Sequence, residues 1–250
     1  MERITLITMS AEITKLREIL QESNNIVFFG GAGVSTESGI PDFRSADGLY
    51  SEKYAYPPET ILSRSFFNAN TEDFYKFYRE KMLYPDAKPN KAHIALAELE
   101  KQGKLRAVIT QNVDGLHTEA GSVNVLELHG SALRNICLTC GECYPLEKII
   151  NSEGIPLCLC GGVIKPDVVL YEEGLDPYVM SRATKAINDA DVLIVGGTSL
   201  NVYPAAGMIN YYRGDKLILI NKSETSFDRY ADLIIRDSIG MALNAAVFEE

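Results

Sequence analysis

The chain has 250 residues, of which 46 % are hydrophobic and 23 % charged, as in an ordinary globular protein with a sizeable core. The formal net charge of −10 at pH 7 disfavours general attraction to nucleic acid or to an anionic membrane surface. Because the sequence shows neither an apolar run that could cross a bilayer nor the pattern of a secretory signal, we expect a cytoplasmic location.

Helical and strand-like patterns alternate along most of the chain. Apolar residues at helical spacing predict a helix over 10–22, with Ser10 as its N-cap. Short apolar runs typical of buried strands follow at 26–29, 107–109, 125–128, 192–195, 217–220 and 233–235. Further helical patterns lie at 90–102, 177–189 and 204–212. This alternation predicts an α/β fold in which helices cover both faces of a parallel sheet.

Two segments interrupt the alternation. Residues 47–88 are rich in Tyr, Phe and Pro without a strand-like run, which predicts a mostly helical insertion. Residues 133–168 contain all five cysteines in short, turn-rich pieces. A segment of that size is too small to form its own core without a cross-link such as a bound metal ion. We therefore interpret it as a second insertion.

A glycine-rich loop follows the first predicted strand. Gly31-x-Gly33 in this place favours a dinucleotide or phosphate site, where glycine lets backbone N–H groups approach a pyrophosphate. The third position of the GxGxxG pattern is Thr36, and no acidic residue ends a second strand about twenty residues later, which disfavours an ordinary dehydrogenase. A tight strand-to-helix turn is the alternative reading.

The loop continues into an unusual tail, Gly39-Ile40-Pro41-Asp42-Phe43-Arg44. An aromatic ring and a guanidinium just past a phosphate loop could cover a nicotinamide and pair with phosphate. Alternatively, Phe43 belongs to the core and Arg44 is a surface cation.

Polar residues also follow the predicted strand at 107–109. In Thr110-Gln111-Asn112-Val113-Asp114, the two amides can donate and accept, and Asp114 can accept from an amide N–H. Ligands of open α/β sheets bind at the carboxyl ends of strands, so this cluster has the position of a site. Helix capping is the alternative for Asn112 or Asp114 alone.

The chain has three histidines, and one of them ends a predicted strand. His129 follows the strand at 125–128, where a neutral imidazole could act as a general base near pH 7. We interpret His93 as structural and expect His117 to orient the loop before it. The alternative to a functional role, for any isolated histidine, is a structural role in a partly buried position.

The cysteines form two close pairs about twenty residues apart. Cys137-x-x-Cys140 and Cys158-x-Cys160 predict a structural zinc site with four thiolate ligands. The spacing leaves open whether Cys143 replaces one ligand, and core or redox cysteines are the alternative. A closed four-thiolate site leaves no open position, so we expect no catalysis at the metal.

Taken together, these motifs resemble those of the sirtuins, NAD-dependent protein lysine deacylases. The resemblance covers nearly the whole chain and rests on ordered motifs: GAGVSTESGIPDFRS (31–45), TQNVDGLH (110–117), Leu128-His129-Gly130, the paired cysteines, Gly197-Thr198-Ser199-Leu200 and Ile220-Asn221.

The resemblance implies a Rossmann-like domain formed by residues 1–46, 85–132 and 169–250. A smaller domain would comprise the helical insertion, 47–84, and the zinc ribbon, 133–168. NAD and an acyl-lysine peptide would bind in the cleft between them.

The resemblance also implies roles for particular residues. Ala32, Thr36 and Arg44 would line the NAD phosphates and ribose, and Phe43 would shield the reacting anomeric carbon. Val113 and Asp114 would hold the nicotinamide amide, with Gln111 and Asn112 at its ribose. The remaining NAD contacts would be Thr198 and Ser199 at a phosphate, and Asn221, Ser223 and Ile239 at the adenosine.

In the reaction that the resemblance implies, the acyl oxygen attacks the nicotinamide ribose and nicotinamide leaves. His129 then deprotonates a ribose hydroxyl, and the products are free lysine and O-acyl-ADP-ribose. The peptide would pair as a β-strand between Val168-Val169-Leu170-Tyr171 and the loop Asn201-Val202-Tyr203. The partners would be acetyl-lysine proteins or peptides. Binding to a membrane or directly to nucleic acid is not expected.

Two positions depart from the family pattern. Sirtuins that prefer acidic acyl groups carry Tyr-x-x-Arg, and the matching residues here are Tyr75 and Tyr78, so acetyl or longer apolar acyl groups are expected. Plain helix packing is the alternative for this segment. Glu172 stands where a glycine is common, and the sequence gives no reason for it.

Two other functions remain open at this stage. Mono-ADP-ribosyl transfer would use the same cleft, although His129 and an acyl-lysine tunnel argue against it. A zinc-ribbon module that reads nucleic acid is disfavoured by the acidic composition.

Overall fold

The computed structural model describes residues 2–43, 48 and 54–248, and describes residues 2–10 by their backbone alone. The helices in this part of the chain are α1 (Glu2–Glu22), α2 (Pro58–Ile61), α3 (Arg64–Ala69), α4 (Thr71–Lys81), α5 (Lys91–Lys101), α6 (Leu116–Glu119), α7 (Leu146–Ile150), α8 (Pro177–Asp189) and α9 (Ile239–Phe248). The strands are β1 (Ile26–Gly30), β2 (Leu105–Thr110), β3 (Val125–Glu127), β4 (Gly130–Cys137), β5 (Cys143–Pro145), β6 (Ile164–Val168), β7 (Val192–Gly196), β8 (Lys216–Ile220) and β9 (Leu233–Ile235).

The larger sheet is parallel throughout and has the strand order β3-β2-β1-β7-β8-β9. The chain leaves β1 toward β2 on one side and returns to its other side with β7, so the strand order reverses at β1. In open parallel sheets, ligands bind outside the carboxyl ends of the strands at such a reversal. The fold therefore places a candidate site beyond Gly30.

Helices cover both faces of this sheet, as the alternation of patterns predicts. The face that contains Ile26 and Phe28 packs against α1, α5 and α9, whereas Val27 and Phe29 point to α8 and the 3-10 helix Ala205–Tyr211. Because successive strand residues point to opposite faces, the continuous apolar run of β1 supplies both cores. The predicted α/β fold with a Rossmann-like parallel sheet is confirmed.

The two insertions share a smaller core. Strands β4, β5 and β6 form an antiparallel sheet in the order β5-β4-β6. Aromatic residues of α3 and α4 pack with Ile149 and Ile164 of the cysteine-containing insertion. Phe67 and Phe74 meet edge to face with ring centroids 4.9 Å apart, a favourable aromatic geometry. The predicted smaller unit, made of a helical insertion and a zinc ribbon, is confirmed.

Local sequence signals explain where several helices begin. Asp176 Oδ1 accepts the N–H groups of Tyr178 and Val179, and Pro177 occupies the first position of α8. Asn90 Oδ1 accepts the N–H of Ala92 at the start of α5.

Two predicted features differ in the structure. Helix α1 runs through Ser10, so the prediction that Ser10 caps it is wrong; no glycine or proline precedes Ser10 to stop the helix. The predicted helix at 204–212 is a 3-10 helix, Ala205–Tyr211, and Gly207 in its interior disfavours a regular α-helix there. Within the described residues, the structure contains no helix with the length and apolar character that a membrane crossing requires.

Candidate active site and metal centre

Loops that follow four neighbouring strands meet at the carboxyl edge of the parallel sheet. They begin after Gly30 of β1, Thr110 of β2, Gly196 of β7 and Ile220 of β8. The structure thus brings together three of the segments singled out in the sequence: the glycine-rich loop, the Gln-Asn-Val-Asp segment and the Gly-Thr-Ser segment.

The glycine-rich loop packs directly on the loop after β7. Gly33 N–H donates to the Gly197 carbonyl oxygen at 2.8 Å, and Gly31 N–H donates to the Gly196 carbonyl oxygen at 3.3 Å. A Cβ atom on Gly33 would lie 2.8 Å from Gly197 Cα. These two N–H groups are therefore committed to the neighbouring loop, and the binding of a pyrophosphate by the glycine-rich loop stays a prediction. The glycines are required because two backbones approach each other closely.

A hydrogen-bond network joins the loops after β1 and β2. Ser35 Oγ donates to Asp114 Oδ2 at 2.6 Å, and Asn112 Nδ2 donates to Ser35 Oγ at 3.0 Å. The other Asp114 oxygen accepts the N–H of Leu116 at 2.9 Å. Ser35 is only 1 % exposed, so these bonds are shielded from water and fix the orientation of both polar side chains.

A second network joins the loops after β2, β7 and β8. Gln111 Nε2 donates to Thr198 Oγ1 at 3.1 Å, and Thr198 N–H donates to Asn221 Oδ1 at 3.0 Å. Asn221 is 7 % exposed, and its Nδ2 is buried without a hydrogen-bond partner among the residues that the structure describes. A buried donor left unpaired is costly, so Asn221 Nδ2 has the character of a group that awaits a ligand oxygen.

His129 lies at the same edge, between β3 and β4. Its Nδ1 is 2.9 Å from the carbonyl oxygen of Gln111. Because a carbonyl oxygen only accepts, Nδ1 carries the proton and Nε2 keeps its lone pair. Burial lowers the pKa of His129 below its ordinary value of 6.5, and the bond to Gln111 opposes this shift only in part. A neutral imidazole with a free Nε2 can accept a proton near pH 7.

The other two histidines lie in the core behind these loops. The ring centroids of His93 and His117 are 4.6 Å apart, and both residues are almost fully buried. His93 Nδ1 accepts the N–H of Asn90, so the structural interpretation of His93 fits. Neither ring nitrogen of His117 has a hydrogen-bond partner among the described residues, and the expectation that His117 orients the preceding loop stays a prediction.

Several predicted cofactor residues lie around these networks. Thr36 and Ser199 are exposed, while Ala32, Phe43 and Val113 are half-buried. Ser223 is exposed, and its carbonyl oxygen accepts from Arg236 Nη1 at 3.0 Å. Ile239 is different, because its side chain packs in the core against Gly196. Arg44 lies outside the described residues.

The predicted peptide segment continues from β6. Val169 N–H donates to the His129 carbonyl oxygen at 2.9 Å, which ties this segment to the candidate base. Tyr171 forms a parallel bridge with Ser63 and is exposed, whereas Leu170 is buried. Val202, in the facing loop predicted from the sequence, is half-buried.

Four cysteine sulfurs converge at the tip of the smaller sheet. The Sγ atoms of Cys137, Cys140, Cys158 and Cys160 all lie within 4.8 Å of one another. Two of these pairs are 3.5 Å and 3.6 Å apart, too far for a disulfide. A zinc ion at about 2.3 Å from each of four tetrahedral thiolates separates the sulfurs by about 3.8 Å, so the cluster fits zinc. Cys143 is exposed and does not belong to the cluster.

The family model described as the Sir2 family matches residues 31–204, well over half of the chain. The chain belongs to the Sir2 family.

Relatives extend the match beyond that segment. An NAD-dependent protein deacetylase of Clostridium acetobutylicum is 61 % identical over 94 % of this chain and 98 % of its own length. The deacetylase of Clostridium perfringens is 60 % identical, over 96 % of this chain and all of its own. A solved Sir2 chain bound to deacetylated p53 peptide and 3′-O-acetyl ADP-ribose has a TM-score of 0.85 and 38 % identity, covering 93 % of this chain and 96 % of its own.

Two tyrosines of α4, at the positions from which an apolar acyl preference was predicted, lie in the smaller core. Tyr75 and Tyr78 are fully buried, and the Tyr75 hydroxyl donates to the carbonyl oxygen of Ile164. Burial raises the pKa of both phenols, so they stay neutral. The neighbouring Arg79 donates to the carbonyl oxygens of Ile149 and Gly154, which holds its guanidinium on the ribbon insertion.

Sequence reasoning missed some residues that organise the Sir2 site. Ser35 stands in the glycine-rich segment, but its partner Asp114 is remote in sequence. Glu37 Oε1 accepts the N–H of Gly240 at 2.8 Å and so ties this loop to the start of α9. No local pattern could have revealed either partner.

Proposed function

We propose that this protein removes acetyl groups from protein lysines and consumes NAD in doing so. The observation that carries the proposal is His129, whose Nδ1 is committed to the Gln111 carbonyl, which leaves Nε2 as the ring nitrogen that can accept a proton. The names of the Clostridium relatives, 60 % and 61 % identical over nearly all of this chain, support the same reaction.

The residues at the carboxyl edge of the parallel sheet would hold NAD. Val113 and Asp114 would bind the nicotinamide amide, because the Asp114 carboxylate is already oriented by Ser35. Gln111 and Asn112 would position the adjoining ribose. The groups assigned to the phosphates and the near ribose are Ala32, Thr36, Phe43, Arg44, Thr198 and Ser199.

At the adenosine end, Asn221 Nδ2 would donate to the ribose, and Ser223 lies in the same loop. Ile239 would contribute through its backbone, because its side chain lies in the core. When bound, NAD supplies the ADP-ribosyl group that accepts the acetyl group as nicotinamide leaves.

In this proposal, His129 takes a proton at Nε2 from a ribose hydroxyl. The bond between Nδ1 and the Gln111 carbonyl holds the ring orientation and stabilises the imidazolium once the proton arrives. Asn112, fixed by Ser35, would orient the reacting ribose. The half-buried Phe43 would shield the reacting carbon from water.

The acetyl-lysine peptide would add a strand next to Val169, Leu170 and Tyr171, with Val202 on its other side. Backbone hydrogen bonds of this kind accept many peptide sequences. The lysine would then enter beside His129, whose carbonyl oxygen already accepts from Val169.

The acyl group would be acetyl or a longer apolar chain. Tyr75 and Tyr78 are neutral and buried, and Arg79 is held by two carbonyl oxygens, so this helix presents no free guanidinium for a succinyl carboxylate. A carboxylate buried without a cationic partner would carry a large desolvation cost.

The zinc ion would be structural. Cys137, Cys140, Cys158 and Cys160 would complete its tetrahedron, which leaves no position for substrate. Reduced thiolates of this kind persist in a reducing compartment, which supports a cytoplasmic location. Membrane and nucleic acid have no part in the proposed reaction.

Nicotinamide release tests the proposal. The protein is incubated with NAD and matched peptides that carry acetyl-lysine, succinyl-lysine or unmodified lysine. We expect release with the acetyl peptide and little with the other two. Release that ignores the acetyl group would instead favour ADP-ribosyl transfer, and the absence of release with every peptide would overturn the proposal.

A further inference from the structure

Glu172 adopts a backbone conformation that favours glycine. Its φ is 76°, in a turn that Glu173 N–H closes by donating to the Leu170 carbonyl oxygen at 3.0 Å. The third position of a turn with positive φ is ordinarily glycine, since a Cβ atom crowds the backbone there. Something outside the turn must therefore favour a glutamate.

The Glu172 side chain supplies the reason. Its Oε2 accepts the N–H of Ser65 at 2.8 Å, and its Oε1 accepts the Ser65 hydroxyl at 2.8 Å. The Ser65 N–H belongs to the first turn of α3, where backbone donors have no partner within the helix. The carboxylate thus joins the turn to the helical insertion.

Backbone pairing strengthens the same junction. Tyr171 N–H donates to the Leu62 carbonyl oxygen at 3.0 Å, and the Tyr171 carbonyl oxygen accepts the N–H of Arg64 at 2.9 Å. Glu173 extends the junction, because its Oε1 lies 2.9 Å from Arg64 Nη1.

Glu173 also connects the turn to β6. Its Oε2 accepts the Leu170 N–H at 2.8 Å and lies 3.1 Å from Nζ of the buried Lys165. The segment assigned to the peptide is therefore held by α3 on one flank and by β6 on the other. The NAD networks around Ser35 and Asn221 share no residue with this junction.

We propose that Glu172 is a positioning residue for the acetyl-lysine peptide. Its carboxylate fixes α3 against the turn and so sets the position of Val169–Tyr171, the edge beside which the peptide is proposed to bind. This inference rests on the proposed deacetylation. Glu172 acts through that edge and does not touch the reacting atoms.

The decisive variant is Glu172→Gly. Glycine suits the positive φ but removes the carboxylate, so a residue that only served the turn would be replaced without loss. We expect KM for the acetyl peptide to rise about fivefold, as for the loss of exposed charge-assisted hydrogen bonds, with kcat and KM for NAD changed less than about twofold. An unchanged peptide KM would overturn the inference.

Ser65→Ala tests the same contact from the other side. It should raise the peptide KM by a smaller factor, and Glu172→Gly combined with Ser65→Ala should be no worse than Glu172→Gly alone, since both remove one contact. Fully additive effects of the two substitutions would contradict the inference that they remove one and the same contact. Glu153→Gly, which removes the same charge from an exposed loop of the ribbon insertion, is the matched control and should keep the wild-type KM.

The wild-type protein separates this inference from the proposal on which it rests. If it releases nicotinamide with the acetyl peptide and Glu172→Gly has the same peptide KM, only the role of Glu172 fails. If the folded wild-type protein releases none, the proposed deacetylation fails, and the inference fails with it.

Discussion

Ser35 Oγ donates to Asp114 Oδ2 at 2.6 Å, and this bond joins two loops that are 79 residues apart in the chain. The same hydroxyl oxygen accepts a hydrogen bond from Asn112 Nδ2 at 3.0 Å. One small side chain thus sets the orientation of Asp114 and Asn112, two of the polar groups assigned to the nicotinamide end of NAD. Since Ser35 is almost fully buried, water cannot replace it without opening the loop.

Ser35→Ala should therefore impair the site without unfolding the protein. The variant loses a buried hydrogen bond to a carboxylate, a contribution of about 1.5–3 kcal/mol, so we expect kcat/KM for NAD to fall about 10- to 100-fold. Steady-state nicotinamide release at saturating acetyl peptide measures this.

Ser38→Ala is the matched control, because Ser38 lies in the same loop but accepts from Asn90 Nδ2, at 3.0 Å, away from Asp114. It should change kcat/KM for NAD by less than about threefold, in line with a peripheral hydrogen bond. Equal losses in the two variants would show that general loosening of the loop, and not the Ser35–Asp114 bond, is responsible.

His129→Ala should abolish deacetylation and leave NAD binding largely intact. The substitution removes the nitrogen that accepts the ribose proton, whereas the networks around Asp114 and Asn221 do not include the imidazole. General-base removal typically costs about 10²- to 10⁴-fold in rate. Binding of ADP-ribose, measured by calorimetry, should stay within about threefold of wild type, consistent with an imidazole outside the binding networks. Full turnover in this variant would contradict the assigned role.

The dependence of activity on pH should report the protonation of His129. His129 must be neutral to accept a proton, and burial lowers its pKa below 6.5. The activity of the wild-type protein should therefore persist as the pH falls through 6.5 and decline only at lower pH, where the imidazole becomes protonated. A profile of kcat/KM for the acetyl peptide checks this, with ADP-ribose affinity as the control. An acidic limb centred above 6.5 would be inconsistent with a buried, neutral His129.

Removing a zinc ligand should unfold the smaller sheet, whereas removing the fifth cysteine should not. Cys140→Ser breaks the tetrahedron, and the insertion lacks a core large enough to hold without metal. Metal analysis should find about one zinc per chain in the wild-type protein and in Cys143→Ser, but little in Cys140→Ser. Because Cys143 is exposed and outside the cluster, zinc loss in Cys143→Ser would refute the assigned ligand set.

Local chemistry was enough to predict much of this fold. The apolar run of β1, bounded by glycine, predicts a buried parallel strand, as the structure shows, and the predicted run at 233–235 coincides with β9. The cysteine spacing also selected the four converging sulfurs. It left Cys143 open, because spacing does not reveal that β5 has already left the metal-binding loops at that residue.

Long-range contacts account for what the sequence did not reveal. Gly33 fits a phosphate loop by pattern, yet its N–H is taken by Gly197, which follows a different strand. Glu172 had no local explanation because its partner, Ser65, is 107 residues away. In both cases the backbone conformation follows from tertiary packing, which a local pattern cannot encode.

The burial of His117 predicts how the free energy of unfolding depends on pH. Burial, together with the neighbouring His93, lowers the pKa of His117 from 6.5 to about 3. As the pH falls from 6.5 toward 3, the unfolded chain binds a proton at His117 that the folded protein does not bind. The free energy of unfolding should therefore be fully retained above pH 6.5 and fall by about 1.4 kcal/mol per pH unit well below it. His117→Leu removes this proton from the unfolded state, so between pH 6 and 4 its urea-unfolding free energy should decline less steeply than that of the wild-type protein. Identical slopes in the two proteins would show that His117 takes up a proton as readily in the folded core as in the unfolded chain.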